Sequence, residues 1–354
     1  MGVLPSFAKR FEHTLDVFLR ISAMMKRIVL VVCALATASI QATAQLTDKV
    51  ATVGFQFLRI GVGARETALA ESGTAFSEGP NAMFWNTAGL IGDERVDVQF
   101  FYNPWFATIN HSFMAMRVPF SSDNVLGLSV NLLAMDDMEE TTIDEPQGTG
   151  RTFSSGDLSI AVAYAQRLSD HFSAGVSAKY IREYIWDMVA EGWAFDVGLL
   201  YRYESLTLGM MMKDFGTDKT ISGPQLEFPQ EIYPDWETSP AVVGIVPKEI
   251  RLPMSFQFGA GYEVIRNETH QLRAMANIAY YFDIGQTENV GAEYTFLQAY
   301  SLRVGYKFER DILGFSFGVG AKTTLGATGI GADFAAVDMQ EFGYRTQFSV
   351  FMSF

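Results

Sequence analysis

Proton transfer, metal binding and nucleophilic attack each need particular side chains at particular spacings, and this chain offers few of them. Beyond its first 44 residues it has three histidines, His111, His171 and His270, and none falls in an HExxH, GxSxG or comparable catalytic spacing. The one cysteine, Cys33, sits in an N-terminal apolar run, so the rest of the chain has no thiol nucleophile, thiolate ligand or disulfide. Gly61-x-Gly63 and Gly318-x-Gly320 do not follow a strand and open a helix in a βαβ unit, so they do not read as nucleotide loops. Asp136, Asp137, Glu139, Glu140, Asp144 and Glu145 crowd one stretch without the sixth-position glycine of an EF-hand loop. That stretch reads as a solvated loop, with a surface site for divalent ions as the alternative. No enzyme activity, cofactor or metal is expected.

Binding chemistry is better represented. Residues 216–252 hold Pro224, Pro229, Pro234, Pro240 and Pro247, with Phe228, Tyr233 and Trp236 among them. A loop of this length is usually functional. Frequent proline lowers the entropy lost when it orders, and exposed aromatics are typical contact anchors. A partner-binding loop and a lid folded over its own domain are both open readings. Met210-Met211-Met212 could form an adaptable surface, but alternation leaves only Met211 on the inner face.

The elements that carry these residues follow from composition and period. The chain has 354 residues and a formal charge of −14, which leaves no basic footprint for nucleic acid. Apolar residues make 49% and charged residues 19%, below the roughly 25% charge of soluble domains. No apolar run in the body of the chain is long enough for a membrane helix. Apolar character spread over alternate positions fits a transmembrane β-barrel.

Alternation is clearest at the C-terminal end. Phe342, Tyr344, Thr346, Phe348, Val350, Met352 and Phe354 share one face, and Gly343, Arg345, Gln347, Ser349, Phe351 and Ser353 the other. Tyr300 to Glu309 and Leu313 to Lys322 repeat the pattern. Arg303, Lys307 and Glu309 cannot face lipid cheaply, so their face is the interior. Strands are expected at 95–106, 109–118, 124–135, 154–168, 172–186, 192–203, 206–215, 253–265, 269–282, 287–297, 300–309, 312–322, 328–336 and 342–354. The fold class is therefore all-β: an antiparallel transmembrane barrel of about fourteen strands, the even number such barrels require. With both termini taken as periplasmic, the short connections fall on the periplasmic side and the two longest, 136–153 and 216–252, on the outer side.

The N-terminal segment has a processing pattern. Met24-Met25-Lys26-Arg27 is a basic start, Ile28 to Ala38 an apolar run, and Ala42-Thr43-Ala44 a small-x-small site. This is the order of a secretory signal peptide, with cleavage expected after Ala44. Its removal leaves a net charge of −17. Residues 1–44 are thus read as an upstream extension plus signal, 45–94 as a hatch, and 95–354 as the barrel.

Residues 45–94 do not alternate and are too few for a substantial domain. The wide lumen of a fourteen-strand barrel would accommodate them as a plug. Thr67 to Phe76, rich in alanine and preceded by Glu66, reads as a short helix. Arg65 is its one basic residue, and burial would demand a carboxylate partner among the inward Asp and Glu, such as Asp157 or Glu293.

The residues of this segment carry a family resemblance. Phe57-Leu58-Arg59-Ile60-Gly61-Val62-Gly63-Ala64-Arg65, then Ala68-Leu69-Ala70, then Phe84-Trp85-Asn86-Thr87-Ala88-Gly89-Leu90 resemble the N-terminal signature of the PorV/PorQ family of outer-membrane proteins. That family commonly shows Asn-Pro-Ala where this chain has Asn86-Thr87-Ala88. It is similar in architecture to FadL-type transporters of hydrophobic compounds. The resemblance implies a plug motif of Phe57, Gly61, Gly63, Ala64, Arg65, Trp85, Asn86, Ala88 and Gly89. It also implies a Gram-negative outer-membrane location, with outer-membrane lipid, lipopolysaccharide and the barrel-assembly machinery as partners. Type IX secretion components, or the C-terminal domains of their cargo, are implied as further partners.

Two functions follow as expectations. One is a surface adaptor or receptor for secreted proteins working through the outer loops. The other is a channel for uptake of hydrophobic small molecules past the hatch. The inward faces, mostly glycine, serine and charged residues, favour the first.

Phe348, Val350, Met352 and Phe354 resemble the C-terminal assembly signal of outer-membrane barrels. Deleting Phe354 should sharply lower the amount of heat-modifiable barrel in the outer membrane. Unchanged amounts on a gel of unheated and heated membranes would contradict this reading.

Overall fold

A computed structural model describes residues 53–106, 108–230, 241–308 and 313–354. The expected signal segment lies outside the described residues.

Fourteen antiparallel strands close into one barrel. In chain order they are β1 Asp97–Pro104, β2 Asn110–Ser121, β3 Asn124–Ala134, β4 Ser155–Arg167, β5 Phe172–Ile185, β6 Met188–Tyr203 and β7 Leu206–Phe215. The second half is β8 Ser255–Arg266, β9 His270–Tyr281, β10 Gly285–Phe296, β11 Tyr300–Phe308, β12 Leu313–Leu325, β13 Thr328–Asp338 and β14 Tyr344–Ser353. Each pairs with its sequence neighbour, and β1 pairs with β14 from Asp97↔Ser353 to Tyr102↔Phe348. At that seam Phe354 and Val96 exchange backbone hydrogen bonds of 2.9 and 3.2 Å. The last residue thereby closes the wall, and Phe348, Val350, Met352 and Phe354 all stand on its outer surface.

The two faces divide as the alternation predicts. Phe315, Val319, Leu302 and Val304 are half or more exposed, facing where lipid would lie, while Arg303, Gln347 and Ser349 point into the lumen and are buried. An open sheet could not satisfy its edge amides in hydrocarbon, and closure removes the edges.

All fourteen expected strands are present, with ends moved by a few residues. The largest shift is at β6, expected from 192 and found from Met188. Trp186 and Asp187 alone make the turn, with Trp186 at φ 54, so pairing continues to Ile185↔Met188. The two long outer loops each carry a short ribbon that alternation did not reveal: Met138–Glu139 with Thr152–Phe153, and Glu227–Gln230 with Ala241–Gly244.

Residues 53–94 run inside the lumen and occupy part of it. The described chain starts at the outer mouth, where Val53 bridges Arg251 of the long loop before β8. Phe55, Phe57 and Leu58 pack there on Ile181, Ala190, Ala194 and Leu252. The segment then descends to β1 at the periplasmic end. Its middle part, with Val62, Met83, Trp85 and Leu90, packs on Phe101, Phe113 and Val125 of the wall.

The helix expected over Thr67 to Phe76 is a correction. The helical turn is Ala64–Ala68, and the chain leaves it through Ala70 and Glu71 at φ 52 and 64. Left-handed backbone at two successive non-glycine residues ends a helix at some cost, and surrounding structure must impose it. Here the wall imposes it, because inward glycines let strands approach the hatch backbone. A Cβ at Gly291 would stand 2.9 Å from the Leu69 carbonyl oxygen, and one at Gly175 2.6 Å from the Thr87 carbonyl carbon.

Gly175→Leu should therefore overpack a contact with backbone that cannot rotate away, lowering stability by roughly 1–3 kcal/mol or more. Ala174→Leu, on the lipid side of the same strand, should stay within about 0.5 kcal/mol. The temperature at which the folded band disappears on a heat-modifiability gel reports both. Equal melting of the two variants would contradict the close hatch contact.

Candidate functional site

The hatch is held by hydrogen bonds to its own turns and by charges to the wall. Gly63, at φ 85, opens the turn Ala64–Ala68, a conformation that favours glycine. The Ala64 amide donates to Ser349 Oγ on β14 at 2.8 Å, and Ser316 Oγ on β12 donates to the Ala68 carbonyl at 3.1 Å. Gly61 leaves room for the Glu71 side chain, and Gly89 for the Ser77 carbonyl.

Asn86 is fully buried and meets its hydrogen-bonding needs in three directions. Its Oδ1 accepts from the Ala88 amide at 3.2 Å, and its Nδ2 donates to the carbonyls of Thr74 at 2.9 Å and Leu199 at 3.0 Å. The last bond reaches β6, so one side chain caps a turn and ties it to the wall. Trp85 donates its indole N–H to the Val62 carbonyl at 2.9 Å, joining the two halves of the hatch. Ala88 is fully buried against this turn.

Arg65 points into a row of alternating charges. Its Nη2 lies 2.7 Å and its Nε 3.0 Å from Glu293 Oε2 on β10, and Nη1 donates to the Phe76 carbonyl at 2.9 Å. Nη1 also lies 3.2 Å from Glu66 Oε1, whose other oxygen accepts from Asn81 at 2.6 Å. Beyond Glu293 the row continues to Arg303 on β11 at 3.7 Å and Asp333 on β13 at 2.6 Å. Of the two carboxylates considered for Arg65, Glu293 is the partner. Asp157 faces Glu183 in register on the opposite wall and takes no part.

Burial opposes the charged form of Arg65, but Glu293 and Glu66 outweigh it, and the guanidinium is held above its ordinary value. Burial pushes the Glu66 carboxyl up, with Arg65 pulling the other way. Nearer the outer mouth, Arg59 pairs with Asp283, and Lys307 reaches Glu71 at 3.2 Å.

Some of the lumen chemistry lies outside what sequence reasoning singled out. Lys179 sits between Asp196 and Asp214 at 2.7 Å each, and Lys213 Nζ lies 3.4 Å above the Phe84 ring. Lys179 and Asp196 occupy inward positions, so strand parity could have flagged them. Asp214 escapes parity, because an extra residue between the pairs Phe195↔Phe215 and Val197↔Met212 turns it inward beside Lys213. Arg117 is a further buried hub, donating to the Leu90 carbonyl at 2.6 Å and pairing with Asp97 at 2.6 Å.

The structure does not gather the histidines. His111 Nε2 meets Asn131 Oδ1 at 2.7 Å inside the wall, while His171 and His270 lie at separate periplasmic turns. Of the loop aromatics, Phe228 falls in the outer ribbon, and Tyr233 and Trp236 lie outside the described residues.

Removing Arg65 takes the main cation from two buried carboxylates, Glu293 and Glu66, and leaves Glu293 only the more distant Arg303 at 3.7 Å. Arg65→Met should cost about 3–5 kcal/mol, while Arg65→Met with Glu293→Met should recover much of that loss. Protease cleavage within the hatch of the detergent-solubilised barrel measures this. Equal cleavage of the single and double variants would contradict the pairing.

Comparison with known proteins agrees with this architecture. The family model of the type IX secretion system protein PorV matches residues 42–198. No curated protein matches the chain. Among solved structures, the P. putida toluene transporter TodX is 12% identical, with a TM-score of 0.54 over 83% of this chain and 97% of that one. The Ralstonia pickettii toluene transporter TbuX is 11% identical, with a TM-score of 0.51 and the same coverage. The CymD monoaromatic hydrocarbon channel is 13% identical at 0.52, again over 83% and 97%. At these identities the likeness is one of fold. Over residues 42–198 the chain matches the PorV family model, and its fold is that of the FadL-like outer-membrane β-barrels.

Proposed function

We propose that this barrel is a surface adaptor for secreted proteins, engaging type IX secretion components or cargo through its outer face. The observation that carries the reading is the sealed lumen. The hatch is packed against the wall and tied to it by buried charge, and all fourteen strand seams are hydrogen-bonded. The packed hatch and the closed strand ladder argue against a straight path for a solute and point to the outer loops as the working surface.

Those loops bear exposed apolar side chains. Val242, Ile245 and Val246 in the loop before β8 are 72%, 56% and 92% exposed, and Ile143 in the acidic loop is 99% exposed. Such clusters on an otherwise solvated surface are characteristic of protein contacts. The PorV family match supports a partner connected with type IX secretion.

The alternative, uptake of hydrophobic small molecules, is favoured by the likeness to toluene transporters. A cavity of about 240 Å³ between the hatch and the outer ends of the wall, lined in part by Ile60, Trp105 and Met339, offers a place for such a solute.

One variant separates the readings. Residues 217–222 and 250–252 are bridged to the wall and to each other, so only 225–246 should be replaced, by a short Gly-Ser linker. The folded barrel should persist and co-purification of secretion components or cargo should be lost. A full set of partners on the shortened barrel, together with toluene accumulation in cells that depends on the protein, would favour the channel instead.

A further inference from the structure

Below the hatch the lumen opens toward the periplasm as a cavity of about 1040 Å³. Its floor is the charge row of Arg65, Glu293 and Arg303, and its rim is formed by the periplasmic turns. The charge balance of this lining differs from the rest of the chain. It holds eight Lys or Arg against seven Asp or Glu, where the whole chain has 26 against 40. The lining is thus near neutral in a chain that is strongly acidic.

Most of these cations are engaged, but among the described residues the exposed Lys322 and the inward Arg202 are not. Arg117 has Asp97, Arg303 has Asp333, and Arg273 has Glu263 at 3.1 Å. Arg202, at the periplasmic end of β6, has no carboxylate within ion-pair distance among the described residues. The charged groups that face it are Glu78 of the hatch and two further cations, Arg167 on β4 and Arg273 on β9. Arg167 is itself only loosely held, 3.7 Å from Asp123 and 39% exposed. An inward guanidinium near two like charges, with Glu78 shared with Arg273 at 3.6 Å and no ion pair of its own, is a fixed fork of donors with capacity for a further acceptor.

The geometry points to a binding site for a carboxylate-bearing segment of a periplasmic polypeptide, with Arg202 as its central contact and Arg167 and Arg273 beside it. Strand parity turns all three into the lumen, so a lipid headgroup outside the wall does not meet them. The volume lies at the upper end of the roughly 300–1,000 Å³ of small-molecule pockets, which gives room for a peptide segment. Gln271, Thr295 and Ser301 on the same walls supply neutral donors and acceptors for a peptide backbone. The ligand enters along the barrel axis, and the hatch above prevents it from passing through. This site is separate from the outer loops and does not depend on what they bind.

The test uses the full barrel in detergent and a fluorescein-labelled peptide of alternating Glu and Ser, followed by fluorescence anisotropy. The peptide should bind, more weakly as salt rises, and its counterpart with Gln for Glu should not. Arg202→Gln should weaken binding about tenfold or more, and Arg167→Gln by less. Arg251→Gln, which removes an exposed charge at the outer mouth, should leave binding unchanged. Heat-modifiable mobility checks that each variant is folded, and Arg167→Gln carries the test if Arg202→Gln does not fold. Equal binding of the Gln peptide, equal weakening by Arg251→Gln, or no effect of the folded Arg202 and Arg167 variants would overturn the site. Displacement by free glutamate as effective as by unlabelled peptide, at equal carboxylate concentration, would overturn the peptide assignment in favour of a small carboxylate.

Discussion

A wall of fourteen strands encloses more space than its own inward side chains can fill. That constraint shapes the rest of the molecule. The space is taken by a segment with little regular structure, whose backbone polar groups would be costly to bury unpaired. Small inward residues let the wall approach that backbone, Asn86 and Ser349 bond to it, and Trp85 ties its two halves together. Arg65 then brings a positive charge into the lumen, and Glu293 must answer it. The alternating row from Glu66 to Asp333 spreads that charge over three strands, so the hatch is registered against the wall by electrostatics as well as by shape.

The barrel was legible because its two faces meet different surroundings. Lipid on one side and hatch or water on the other impose period-2 alternation on every strand, and Phe315, Phe317 and Val319 report it without reference to the rest of the fold. Connection lengths supplied the sidedness. The hatch was legible as a segment that fails to alternate, and Glu293 was within reach because burial of Arg65 demands an inward carboxylate and strand parity places Glu293 on the inward face. What escaped was set by tertiary contact. The alanine-rich stretch after Thr67 has helical propensity, yet wall contacts turn Ala70 and Glu71 into the left-handed region. The bulge that brings Asp214 to Lys179 has no local signal, since it is an offset between two strands. The ribbons in the outer loops are too short for a period to show.

Family and fold lean toward different functions. The PorV match connects the chain with protein secretion, while the solved structures of similar fold include toluene transporters. Our proposal takes the first side, on the grounds that Arg65 pairs with Glu293 across hatch and wall and that the strand ladder closes on itself. In that account the membrane-spanning wall is a mount, and recognition belongs to its two ends. The outer end presents apolar loop residues, and the periplasmic end presents a cation-rich cavity.

Electrical conductance tests the sealed lumen most directly. The full-length barrel, reconstituted in a planar lipid bilayer in potassium chloride, should carry no steady current, and removal of residues 53–94 should open a stable pore. A steady current through the intact barrel, of the same size as that of the hatch-free barrel, would show that the hatch does not close the lumen and would contradict the account.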